Sequence, residues 1–168
     1  MAAGGIKFKF TIQPGTLDED LERSARLSPQ ELTRLLTEIL ERARTEIIKR
    51  TPVGHSGAAR AGWTSEIRGR NTSSQLGIIA NPVLHVDPLD TGRRPGKRPP
   101  IEAIIPWVGS KLGVPPGPAR RSVAFLVARS IGARGTQPVN MIEEGWEEAR
   151  KQIKPKLKEM GIRIVRRL

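Results

Sequence analysis

The sequence predicts an α+β fold in which a long amphipathic helix packs on a small antiparallel sheet. Two patterns carry that expectation. Leu32, Leu35, Leu36, Ile39, Leu40, Ala43, Ile47 and Ile48 recur at helical spacing, the mark of a helix with one buried face. Ile6-Lys-Phe-Lys-Phe-Thr-Ile12 alternates apolar and polar residues, the mark of a strand with one buried face. The length agrees, since a chain of 168 residues buries about 70% of its extended surface as one domain and needs no covalent staple. The sequence holds no cysteine, so disulfides, thiolate nucleophiles and Cys-ligated metal centres are excluded.

A single domain over residues 1–168 is expected, with its elements in this order. A strand over 6–12 ends at Pro14-Gly15, and an acidic linker follows at 17–22. The helix over 28–50 starts from Ser28-Pro29-Gln30-Glu31, which supplies a capping serine, a proline in the first turn and the glutamate of a capping box. Thr51-Pro52 stops it, because the residue before a proline is driven out of the α region. A small-residue loop over 51–62 leads to strands within 63–86: 63–68, 75–80 and a short third one over 83–86. A basic loop covers 87–100. Two short helices fall within 101–131, over 101–112 and 121–131, and Gly113-Val-Pro-Pro-Gly-Pro118 between them is not helical. Asn140 caps a last helix over 140–160, with Ile142, Trp146, Ala149 and Ile153 on one stripe. Pro155 should kink or end that helix, and 162–166 reads as a closing strand. Segments 51–62 and 87–100 are expected to be poorly fixed in the single chain and ordered by neighbours.

Charge narrows the function class. Lys and Arg number 29 against 17 Asp and Glu, a net +12, and such an excess points to a polyanionic neighbour. Residues 91–140 hold Arg93, Arg94, Lys97, Arg98, Lys111, Arg120, Arg121, Arg129 and Arg134 against Glu102 alone, so this stretch contributes +8 of the +12. Gly92-Arg-Arg-Pro-Gly-Lys-Arg-Pro-Pro100 is its densest part. Arg93, Arg94, Lys97 and Arg98 form the candidate DNA- or partner-facing loop, suited to phosphate backbones without reading sequence. Aromatic support for base stacking is thin, with three Phe, three Trp and no Tyr.

Other classes are disfavoured. No apolar run approaches the ~20 residues of a bilayer span, and the first ten residues do not read as a signal peptide. Cytoplasm, or a particle assembled there, is the expected location, without a membrane partner. His55, Ser56 and Asp87 are the residues from which a hydrolytic triad would be drawn. However, adjacent loop side chains rarely face each other, and no Gly-x-Ser-x-Gly elbow occurs. Neither a phosphate loop nor a dinucleotide fingerprint is present. The expected assignment is a non-enzyme with no catalytic residue, cofactor or metal.

The order of the pieces resembles a known family. Thr51-Pro52-Val53 after the long helix, then Gly57, Arg60 and Gly62-Trp63, resembles the Thr-Pro-Val-x-Thr-Gly-x-Leu-Arg-x-Ser-Trp signature of the tail-component proteins of long-tailed bacteriophages. Asn81, the 92–100 block, Ile105-Pro-Trp-Val108, Lys111-Leu-Gly113, Phe125-Leu-Val-Ala-Arg-Ser-Ile131 and Arg134-Gly-Thr-Gln-Pro138 follow the family's later blocks. The resemblance spans roughly residues 32–157. One extra residue lies between Val53 and Gly57, and Ala59 stands where leucine is common. A Tyr-Ala pair before the Gly-Arg block is replaced within Val83-Leu-His-Val-Asp87. The resemblance implies a structural virion protein for tail completion or head-to-tail joining (neck), with a tail-terminator-like fold. It implies a homo-oligomeric, hexameric ring around the DNA channel, with other neck and tail proteins as partners. It also implies that Thr51, Pro52, Gly57, Arg60 and Trp63 form an interface loop. The alternative is an architectural DNA-binding protein without sequence specificity.

Overall fold

Ser28 begins the element that organises the molecule. Its hydroxyl accepts from the Glu31 amide at 3.3 Å, and the Glu31 carboxylate takes the Ser28 amide at 2.7 Å. Because Pro29 has no amide hydrogen, three donors stand open at this helix start, and two of them are thereby satisfied. Helix α1 follows as Pro29–Arg50, about 33 Å long. It ends where the Thr51 amide donates to the Ile47 carbonyl at 2.9 Å and the chain turns extended before Pro52. The computed structural model describes residues 6–14, 28–72, 75–159 and 162–167, with side chains described from 28 to 155.

The remaining elements are β1 (Ile6–Pro14), α2 (Ala58–Ala61), β2 (Thr64–Arg68), β3 (Leu76–Asn81), α3 (Val86–Asp90), α4 (Ile101–Leu112), α5 (Pro118–Arg134), α6 (Met141–Glu159) and β4 (Ile162–Arg167). The four strands form one antiparallel sheet in the order β2-β3-β1-β4. Registers such as Phe8 opposite Ile79 and Thr11 opposite Val165 place β1 between the hairpin and the last strand. The expected sheet of 6–12, 63–68, 75–80 and 162–166 is present, and the chain is α+β. The expected inward face Ile6/Phe8/Phe10/Ile12 lies outside the described side chains.

Helix α1 packs against β2, β3 and α6. Leu36, Ile39, Ala43 and Ile47 are fully buried, and Leu32 is half-buried at the stripe's end. On α6, Ile142, Trp146, Ala149 and Ile153 face the same core. The two helices meet so closely at Gly145 that a Cβ there would lie 2.7 Å from Ile47 Cγ1 and 2.8 Å from the Ile47 amide nitrogen. Only glycine fits that crossing.

Several elements differ from expectation. Residues 83–86 are not a strand. Asn81 Oδ1 accepts the Val83 amide at 3.1 Å, a side-chain turn that takes the chain off the sheet and into α3. Helix α5 starts three residues earlier than expected and ends three later, because Pro118 suits the first helical position and its missing amide costs nothing there. Pro155 does not end α6. It lies on an exposed face, as does Lys151 one turn before it, so the carbonyl left without a donor meets water rather than the core. At the start of α6 the Ile142 amide donates to Asp90 Oδ1 at 3.2 Å. The capping acceptor there comes from α3, 52 residues away in sequence, while Asn140 takes a positive φ of 53°.

Candidate polyanion-facing surface

Helices α4 and α5 pack on each other around a second apolar cluster. Ile104 and Val108 from α4 meet Ala124 and Ala128 from α5, and the two alanines, one turn apart, let the helices approach closely. The linker is closed by Arg120, whose Nε donates to the Val114 carbonyl at 2.7 Å.

The basic segment is tied along this hairpin. Arg93 and Thr136 exchange both backbone hydrogen bonds, at 3.0 and 2.9 Å, and the Gly96 amide donates to the Gly132 carbonyl at 2.8 Å. Gly135 makes that approach possible. Its φ is +72°, and a Cβ there would collide with the Arg93 carbonyl oxygen. The Arg98 guanidinium lies 6.0 Å from the centroid of the Phe125 ring, the outer limit of cation–π attraction.

The segment expected to be a poorly fixed loop over 87–100 is therefore a strap. It begins inside α3 and is bonded by its backbone to the C-terminal end of α5. The cause is long-range pairing between residues about forty apart, which no local pattern announces. Phe125, Arg129 and Gly132 share one side of α5 by their spacing, and Arg98 lies along that side, against Gly132 and over Phe125.

Little neutralises these charges. Among the described residues, Arg121 alone of the nine cations forms an ion pair, Nη2 to Glu102 Oε1 at 3.3 Å. Both side chains are well exposed, and such pairs contribute little. Arg94, Lys97, Arg98, Lys111, Arg129 and Arg134 are exposed, whereas Arg93 and Arg120 are half-buried. Like charges held on one scaffold sum to a positive field that attracts polyanions.

The expected interface loop is placed differently. Thr51 and Trp63 are buried, with Trp63 Nε1 donating to Thr51 Oγ1 at 2.9 Å. Arg60 Nε donates to the Thr51 carbonyl at 3.0 Å. Gly57, with φ +69°, precedes α2, and Pro52 is exposed. These residues brace α1 against the start of β2, so segment 51–62 is held from within. Thr51 and Trp63 offer no surface to a neighbour.

The residues of the imagined triad go separate ways. Ser56 Oγ accepts the Ala58 amide at 3.3 Å, Asp87 lies in the first turn of α3, and His55 is an exposed loop residue. Among the described residues, no three acidic or histidine side chains gather as a metal site, and no helix is long and apolar enough to cross a membrane.

An apolar surface lies beside the cations of α5. Phe125 and Leu126 on α5 are 42% and 58% exposed, with Trp107 and Leu112 exposed on α4. Ile101, Pro118, Arg121, Ser122, Phe125 and Leu126 line an open groove there. The available signal is that Val123, Phe125, Leu126, Val127 and Ile131 surround α5 instead of forming a stripe, which leaves apolar side chains beyond those one partner helix covers. No family model, no curated protein and no solved structure matches this chain.

Proposed function

We propose that this chain is a structural subunit of a tailed-bacteriophage virion. It acts in tail completion or head-to-tail joining, as a member of a tail-terminator-like ring whose basic surface faces the DNA passing through. The observation that carries the reading is the cationic hairpin. Nine Lys and Arg with one acid in fifty residues are mounted on a packed pair of helices and the strap tied to it, and a single one of them finds a carboxylate among the described residues. A surface kept so positive suits a phosphate backbone contacted without sequence readout.

Two further observations support it. The residues that carry the family resemblance are physically linked, Arg60 and Trp63 both bonding to Thr51, so that motif has a structural rationale as a brace. The exposed apolar side chains of α4 and α5 suit a subunit that is completed by neighbours.

Electron microscopy of the purified chain tests the reading. Closed rings with an opening wide enough for duplex DNA are expected. Particles that remain single subunits at high concentration would contradict the ring and favour an architectural DNA-binding protein.

A further inference from the structure

The groove on α5 calls for an occupant that is both apolar and acidic. Phe125, Leu126, Ile101 and Pro118 line it together with Ser122 and Arg121, whose ion pair with Glu102 is solvent-exposed and so weakly held. Arg129, one turn beyond Phe125, is exposed and without an ion pair among the described residues. A mainly apolar groove with one arginine in its lining and another a turn away along α5 is the inverse of an acidic, leucine-bearing peptide.

Two stretches of this chain are strongly acidic. Glu143-Glu-Gly-Trp-Glu-Glu148 carries four glutamates, but Trp146 and Ala149 are buried in the main core. That stretch can present charge without apolar groups. Leu17-Asp-Glu-Asp-Leu-Glu22 carries four acids together with two leucines, which supplies both. Helices α4 and α5 pack chiefly on each other, while the elements flanking residues 15–28, β1 and α1, pack against the sheet and α6. The contact is placed between two copies, in keeping with the assembling subunit proposed above.

We propose that the acidic segment 17–22 of one subunit docks in the α5 groove of the next, with Leu17 and Leu21 against Phe125 and Leu126 and the acids against Arg121 and Arg129. This contact is head-to-tail, and repeated contacts of that kind close into a ring when the rotation allows. The inference rests on the self-assembly half of the proposed function and names the surface that carries it.

Charge reversal in two separate full-length chains tests it. One chain carries Asp18→Lys, Glu19→Lys and Asp20→Lys; the other carries Arg121→Glu and Arg129→Glu. Wild type, the two variants and their mixture are read by sedimentation equilibrium at low salt, with circular dichroism to verify that each chain folds. Each variant alone should associate about ten-fold or more weakly than wild type, since each sets like charges across the contact. An equimolar mixture should regain association, because every segment then meets a groove of opposite sign. Leu126→Asp, at an exposed position, should weaken association without moving the thermal midpoint. Wild-type association in both charge variants, or a mixture as weak as its components, overturns the inference while leaving an assembling wild type consistent with the proposed function. A wild-type chain that stays monomeric contradicts the ring itself.

Discussion

Trp63 Nε1 donates to Thr51 Oγ1 across 2.9 Å in a site where neither side chain reaches water. The same hydroxyl donates to the Ile47 carbonyl at 2.8 Å. One threonine thus satisfies the indole and caps the last turn of α1, which joins the end of the long helix to the entry of the sheet. Thr51→Val should cost about 1–3 kcal/mol, because a buried donor loses its partner. In urea titrations, Thr51→Val combined with Trp63→Phe should cost less than the sum of the two single changes. Additive losses would show that the pair is not coupled.

Burial separates the two apolar faces. Leu36 is fully buried under the sheet, whereas Leu126 is 58% exposed on α5. Leu36→Ala should lower stability by ~2–5 kcal/mol, and Leu126→Ala by less than about 0.5 kcal/mol. Equal losses from chemical denaturation would mean that α5 is covered within the single chain.

Acid should weaken the link between α1 and its own last turn. Hydrogen bonds from Lys49 and then Arg50 hold the Glu46 carboxyl below its ordinary value of 4.5. A depressed folded-state value means that the contribution is fully present above the unfolded value and is lost as pH falls through the folded one. Wild type should therefore lose more stability than Glu46→Gln between neutrality and the acid side of 4.5. Parallel thermal midpoints of the two proteins across that range would remove Glu46 from the account.

The strap can be cut at one atom. Gly135→Ala forces a Cβ into the Arg93 carbonyl, so the paired amides of Arg93 and Thr136 should lose protection from hydrogen exchange while the α1 amides keep theirs. Unchanged protection would mean that the bridge adapts.

Much of this architecture was legible because its signals are local. The Ser28–Glu31 box and the leucine stripe mark α1, and the stripe from Ile142 to Ile153 marks α6. What was illegible depends on partners distant in sequence. Asp90 lends its carboxylate to Ile142, Thr136 pairs with Arg93, and Gly132 receives the Gly96 amide. Val83 and Val86 carry strand-forming side chains, yet the Asn81 side chain bends the chain away from the sheet before they can pair. The cations of the site were visible as composition. Their mounting on α5, and the apolar groove beside them, required the fold. Thr51 and Trp63, expected to belong to an interface loop, are buried and bonded to each other, so a conspicuous motif there marks an internal brace.

The central claim is that the strap faces a phosphate backbone. Binding to random-sequence duplex across a salt series tests it most directly, with wild type compared to Arg93→Gln/Arg94→Gln/Lys97→Gln/Arg98→Gln. Each phosphate contact releases condensed counterions, so the slope of log K against log salt should shrink by up to about 3.6 when four such contacts are removed. Affinity should vary little with duplex sequence. Equal slopes for the two proteins would contradict the claim and reassign the strap to protein docking.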